Sequence, residues 1–162
     1  MSEVLCLYYS RTGHTRRAIK EIAETLNAEV VSIGDGVDRS GWRGYLRSGM
    51  DAMRRSTRRP ENFETERPLE EYRLIIIGTP VWGGRCASPI RGLLKRRGLE
   101  MARVAYVLTR KSGNRNEQVY DQLDLYTKNN RLMAVSLRPE SEGYDFWLNQ
   151  FVHDVEVYLE QK

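Results

Sequence analysis

The sequence predicts an α/β domain built on a parallel sheet, and three observations carry that reading. Apolar runs of strand length alternate with segments of helical period, the mark of βαβ units. Most of those runs are apolar almost throughout, as expected of strands covered by helices on both faces. The 162 residues, 40% apolar and 30% charged, suit one folded unit with a sizeable core, so a single domain is expected to span residues 1–162.

In chain order, Val4 to Tyr9 is the first strand, after which Ala18, Ile19, Ile22, Ala23 and Leu26 recur at helical spacing. Ala28 to Ile33 is less apolar and reads as an edge strand. Leu74 to Ile77, Val104 to Leu108 and Leu132 to Leu137 supply three more strands. A helix carrying Ile90, Leu93 and Leu94 opens at Ser88-Pro89, with Ser expected as the cap and Pro at the first helical position. Tyr144, Trp147, Leu148, Phe151, Val152, Val155 and Leu159 mark a long final helix with one apolar face. The order is therefore βαβ-insert-βαβαβα, with five strands.

The insert, at about residues 34–67, is too long for a plain connection and has a helical pattern of its own at Trp42, Tyr45, Leu46, Gly49, Met50 and Met53. Its aromatics fall on one face with Leu46 and Met50, and that face is expected to join the core. Arg39, Arg43, Arg47, Arg54, Arg55, Arg58 and Arg59 would then form a solvated face. These seven arginines stand against two aspartates between Asp38 and Arg59, a local surplus that accounts for the whole chain's net charge of +4. Such a surplus suits nucleic acid, a phosphorylated ligand or an acidic partner, and equally plain solubility.

No run approaches the roughly 20 apolar residues of a membrane span. Met1 to Tyr9 lacks the basic start and cleavage site of a leader peptide, so a soluble, cytoplasmic protein is expected, without a membrane partner. Cys6 and Cys86 lie far apart with neither CxxC nor paired histidines, and neither a disulfide framework nor a metal site is read from them.

In open α/β sheets ligands bind beyond the carboxyl ends of the strands, so the loops after the first and central strands are where chemistry is sought. Ser10-Arg11-Thr12-Gly13-His14-Thr15 leaves the first strand and opens a helix. Its hydroxyls, with the free N–H groups and dipole of a helix start, make a phosphate cradle without a lysine. It is neither a P-loop nor GxGxxG. Alone, it reads equally well as a helix start rich in capping residues. Gly78-Thr79-Pro80-Val81-Trp82-Gly83-Gly84 follows the most apolar strand and places a Trp in an exposed turn. That Trp suits stacking on a planar ligand; the alternative is a ring that merely covers the sheet end.

Taken together, Ser10 to Thr15 after the first strand and Thr79 to Gly84 after the third resemble the two flavin loops of the flavodoxin family. The resemblance covers the whole chain. It implies a flavodoxin-like three-layer sandwich with a five-stranded parallel sheet in the order 2-1-3-4-5, and FMN as cofactor. Ser10, Thr12 and Thr15 would take the phosphate within the loop completed by Arg11, Gly13 and His14. Trp82 would flank the ring, and after Thr79, Pro80 and Val81 the peptide around Gly83 and Gly84 would face its N5 edge. The third loop of the family falls at Thr109, Arg110, Lys111, Ser112 and Gly113. Small electron carriers of the family are acidic and often place an aromatic there; this chain has two cations and no aromatic. The basic insert is a second departure.

The expected function is that of an FMN-binding oxidoreductase, taking electrons from a reduced nicotinamide or a reductase and passing them to a small-molecule acceptor. A one-electron carrier docking an acidic protein acceptor is the alternative. A non-catalytic module using the basic insert is a third, with nucleic acid disfavoured because Trp42 and Tyr45 lie on the apolar face. The flavin would perform the chemistry, in keeping with the lack of a Ser-His-Asp set or carboxylate pair. His14 reads as a solvated loop residue, His153 as structural and Cys6 as a small hydrophobe. Cys86, two residues past Gly84, is the better candidate for a reactive thiol.

Overall fold

The computed structural model describes residues 2–161. Strand β1 (Val4–Tyr8) leads through α1 (His14–Leu26) to β2 (Glu29–Ser32), and the insert holds α2 (Gly41–Met53). Strand β3 (Leu74–Trp82) turns back into β4 (Arg85–Cys86), from which α3 (Ser88–Arg97) starts. The chain closes with β5 (Val104–Thr109), α4 (Gln118–Asp124), β6 (Met133–Leu137) and α5 (Tyr144–Glu160). Five strands run parallel in the order β2-β1-β3-β5-β6, the expected order, with β5 and β6 in the fourth and fifth places.

Period-two alternation along these strands divides the apolar residues between two cores. Cys6, Ile76 and Ala105 stand in register across three strands and face α1 and α5, meeting Ile19, Ile22, Leu148, Phe151 and Val155. One step along, Leu7, Ile77 and Tyr106 face the other way, onto Ile90, Leu93 and Leu94 of α3 and Val119 and Leu123 of α4. Fully burying each such aliphatic side chain stabilises the fold by roughly 1.5–3 kcal/mol.

Four expectations are corrected. Strand β3 does not stop at Ile77: Gly78 to Pro80 pair on with Val107 to Thr109, and Val81 and Trp82 then pair antiparallel with Cys86 and Arg85. Pro80 is tolerated because a strand residue aims its N–H to the same side as its neighbour two back. Gly78 accepts from Tyr9 on the β1 side, and β1 has ended by Pro80, so its missing donor has no ladder to break. Trp82 therefore ends a strand, and the turn is Gly83-Gly84 alone, at φ 56° and 76°. Positive φ at both central residues is what a two-residue hairpin of type I′ requires. Second, Ser88 is the first helical residue, buried, while Ala87 holds the cap position without a side-chain bond. Third, the last strand begins at Met133, one residue past the exposed Leu132.

The fourth correction concerns the insert. Helix α2 turns Gly44, Ser48, Asp51 and Ala52 inward and leaves Trp42, Tyr45, Leu46, Met50 and Met53 exposed. Arg39, expected in solvent, is buried between Asp35 at 2.7 Å and Asp51 at 2.9 Å. The physical reason is close approach: small side chains let the helix backbone reach the body, and arginines of the body then bond its carbonyls. Arg85 Nη1 donates to Ala52 and Met53 O at 3.0 and 2.8 Å, at the end where a helix dipole favours a cation. Arg11 Nη1 donates to Arg39 O at 3.1 Å, ahead of the helix start, and Arg91 and Arg96 hold the carbonyls of Ser56 and Thr57. Among the described residues no helix is long and apolar enough to cross a membrane.

Candidate functional site

A cleft of about 1040 Å³ opens beyond the carboxyl ends of β1, β3, β5 and β6. The loop Ser10 to Thr15, the hairpin around Gly83, the loop Thr109 to Ser112 and the segment Arg138 to Glu142 surround it, and Tyr45, Gly49 and Met53 of α2 form its outer wall. Of the residues expected in the three flavin loops, all but Gly13, Thr79 and Gly113 line this cleft. Thr79 is interior, where its hydroxyl donates to Pro80 O and accepts from Ala87 N, both at 2.9 Å.

At the first loop, α1 starts on Gly13 at φ 102°, with no side-chain cap and no acidic residue in its first turn. Its leading N–H groups and dipole are left for an anion. Gly13 N donates to Ser10 Oγ at 3.0 Å, so Ser10 keeps its O–H proton for a ligand, and Thr12 is exposed beside it. Thr15 is committed differently: buried, it bonds Thr109 Oγ1 at 2.6 Å. One hydroxyl of that pair donates to the other, which leaves a single O–H for the cleft.

At the hairpin, the Trp82 ring is held from behind. The Arg39 guanidinium lies 5.0 Å from its centroid, and the Tyr9 ring meets it edge-on at 5.5 Å. Burial alone would lower the Arg39 pKa, but the bonds to Asp35 and Asp51 outweigh it and keep the guanidinium charged. Burial raises the Tyr9 pKa, partly opposed by Arg39, and its phenol stays neutral. Gln122 donates to the Gly84 carbonyl at 3.3 Å, which ties the hairpin to α4.

The third loop is cationic. Arg110 donates to Ser136 Oγ at 2.8 Å and Ser112 O at 2.7 Å, and its pKa is lowered first by burial, then by Arg115 and Arg138. Arg11, Arg110, Lys111 and Arg138 thus line a cleft whose carboxylates are Glu140 and Glu142. The Arg138 to Glu142 wall was open to sequence reasoning, since it follows the carboxyl end of the last strand; the α2 wall carried no such signal.

Cys86 is buried, and burial raises its pKa, so it is held as the inert thiol. His153 is exposed rather than structural, and His14 borders the cleft. Among the described residues no group of His, Cys, Asp or Glu is placed to hold a metal ion.

The parallel order, helices on both faces and a cleft at the strand carboxyl ends define a flavodoxin-like fold. The chain is similar to a flavoprotein of Lactobacillus acidophilus crystallised in complex with FMN, with TM-score 0.68 and 22% identity over 91% of this chain and 99% of that one. It is likewise similar to a protein of Bacteroides uniformis classed with the flavoproteins, with TM-score 0.74 and 23% identity over 94% and 98%. A WrbA-like flavodoxin of Agrobacterium tumefaciens matches at TM-score 0.62 and 15% identity over the full length of both. No family model and no curated protein matches the chain.

Proposed function

We propose that the chain binds FMN in this cleft and acts as an FMN-dependent oxidoreductase. The observation that carries the reading is the start of α1, uncapped, free of acidic residues and ringed by the hydroxyls of Ser10 and Thr12. A helix start of this kind suits a terminal phosphate monoester. The FMN complex of the Lactobacillus neighbour supports the same cofactor. When bound, FMN supplies hydride and electron transfer, and the protein's part is to hold, orient and shield it. Ser10, Thr12 and the first N–H groups of α1 hold the phosphate, and Trp82, braced by Arg39 and Tyr9, flanks the ring. The Gly83-Gly84 turn brings backbone to the ring edge without side chains in the way. Tyr45, Gly49 and Met53 narrow the cleft on its outer side, a wall that favours a substrate over the flavin. The electron-carrier reading draws on the outer surface of α2, where exposed Trp42 and Leu46 lie beside Arg43 and Arg47 and suit an acidic protein.

Purified protein should carry flavin bands, with FMN as the extracted mass. Thr12→Val removes a hydrogen bond to a charged group, worth roughly 1.5–3 kcal/mol, and FMN should bind about tenfold to a hundredfold more weakly. Unchanged affinity in a fluorescence titration would overturn the cradle assignment. Rapid anaerobic bleaching by a reduced nicotinamide alone supports the enzyme; bleaching only through an added reductase supports the carrier.

A further inference from the structure

Two cations reach the same exposed ring on the outer wall of the cleft. The Arg11 guanidinium lies 5.5 Å and the Lys111 ammonium 5.8 Å from the centroid of Tyr45. They come from the loops after β1 and β5 and meet on a side chain of α2, so three segments far apart in sequence converge there. Neither cation has a carboxylate partner among the described residues. Arg11 spends its Nη1 on the carbonyls of Arg39 and Gly41, at 3.1 and 3.5 Å, which turns its guanidinium towards α2 rather than onto the α1 start. The remaining guanidinium donors and the ammonium stay available.

Like charges brought to one ring repel, and a bound anion reverses the sign of that interaction. A dianion neutralises both. Arg supplies a planar fork and Lys a point charge, the two devices that recognise phosphate. The cleft, about 1040 Å³, stands at the upper end of the roughly 300–1,000 Å³ of small-molecule sites.

We propose that Arg11, Lys111 and Tyr45 form a seat for a phosphate monoester on the second substrate. The hydride donor is then a reduced nicotinamide dinucleotide bearing a 2′-phosphate, a group that arginine accommodates elsewhere. This rests on the FMN oxidoreductase reading. The donor would give up a hydride, two electrons and one proton together, which bound FMN would take up whole, and would leave as the oxidised nicotinamide. The phosphate takes no part in that transfer and serves to position the donor.

The test uses the FMN-loaded protein and follows flavin bleaching under anaerobic conditions with the 2′-phosphorylated and the unphosphorylated donor. Half-maximal rate should need at least about tenfold less of the phosphorylated donor, the scale of one charge-assisted hydrogen bond. In an Arg11→Gln, Lys111→Gln variant that ratio should collapse to within about twofold. Because the ratio is taken within each protein, altered flavin content cancels. A calorimetric titration with adenosine 2′-monophosphate on the flavin-free protein tests the seat apart from the cofactor. Binding in the wild type that the variant loses supports it even if FMN is not the cofactor. Equal donor concentrations in the wild type, a preference that survives in the variant, or nucleotide affinity untouched by the variant would each overturn the seat.

Discussion

The Arg39 guanidinium sits 2.7 Å from Asp35 and 2.9 Å from Asp51, all three side chains are shielded from water, and Arg47 joins Asp51 from the surface at 3.1 Å. A guanidinium in this position does two things: it pairs with two carboxylates taken out of solvent, Arg47 supplying the second positive charge, and it backs the Trp82 ring. Removing one partner of a buried ion pair costs about 3–5 kcal/mol, because the other charge is left uncompensated. Arg39→Met should therefore lower the urea midpoint by a comparable free energy with an unchanged m-value. A companion variant, Asp35→Asn with Asp51→Asn and Arg39→Met together, removes all three charges and should recover part of the loss. If the single variant is as stable as the wild type, the network holds nothing together. None of this was legible in the sequence, where Arg39 is one of seven arginines in a row of candidates for solvent. What separates it from Arg43 or Arg54 is burial, which depends on where α2 lands.

Helix α2 landed with its small residues inward, and the return segment after it is fixed against α3 by a close backbone approach. A Cβ placed on Gly92 would come within 2.1 Å of Arg58 O, a distance that forces the segment away. Gly92→Ala should cost about 1–3 kcal/mol as overpacking and strip the Arg91 and Arg96 bonds to Ser56 and Thr57. Hydrogen exchange is the informative readout: amides of residues 41–58 should lose protection while β1, β3 and β5 keep theirs. Uniform loss across the chain would instead mean that the insert and sheet unfold as one unit. The strands of the parallel sheet were legible because each is a continuous apolar run whose two faces both need cover. The hairpin after β3 was not: a two-residue strand has too few positions to show a period, and Trp82-Gly83-Gly84 reads as loop until the turn pairs it. In α2 the helical period was legible but its inward face was not. Periodicity says which residues share a side, and here the larger apolar side faces outward, Trp42 at 69% and Met53 at 75% exposure.

Across the whole molecule, buried tyrosines tie both cores to the protonation state of the fold. Tyr144 lies in the layer of α1 and α5, and Tyr72, Tyr106 and Tyr120 lie in the opposite layer. Burial first, and then neighbouring carboxylates, raise the pKa of Tyr72, Tyr120 and Tyr144 from 10.0 to about 12, and that of Tyr106 further still. The carboxylates are identifiable: Tyr106 donates to Asp124 at 2.7 Å, Tyr72 to Glu29, and Tyr144 to Glu21 at 3.4 Å. Above pH 10 the unfolded chain releases these protons while the folded chain retains them, so the folded state binds more protons and stability falls as pH rises. For Tyr72, Tyr120 and Tyr144 the contribution is complete below about pH 10 and is lost on the way to about pH 12, while that of Tyr106 goes on falling above it, at a limiting slope of about 1.4 kcal/mol per pH unit for each tyrosine. Because both layers contain such groups, the loss should appear as one cooperative drop in melting temperature rather than as the detachment of one face. Melting curves by circular dichroism at successive pH values, with tyrosinate absorbance recorded in parallel, measure it. The part of that absorbance that a Tyr106→Phe substitution removes should be absent from the folded protein and appear together with unfolding. Tyr106→Phe should make the slope shallower by one tyrosine's share, at some cost in stability at neutral pH from the lost bond to Asp124. If the part of the absorbance that Tyr106→Phe removes instead rises near pH 10 while the protein stays folded, that hydroxyl is open to solvent, which would remove both the slope and its cause.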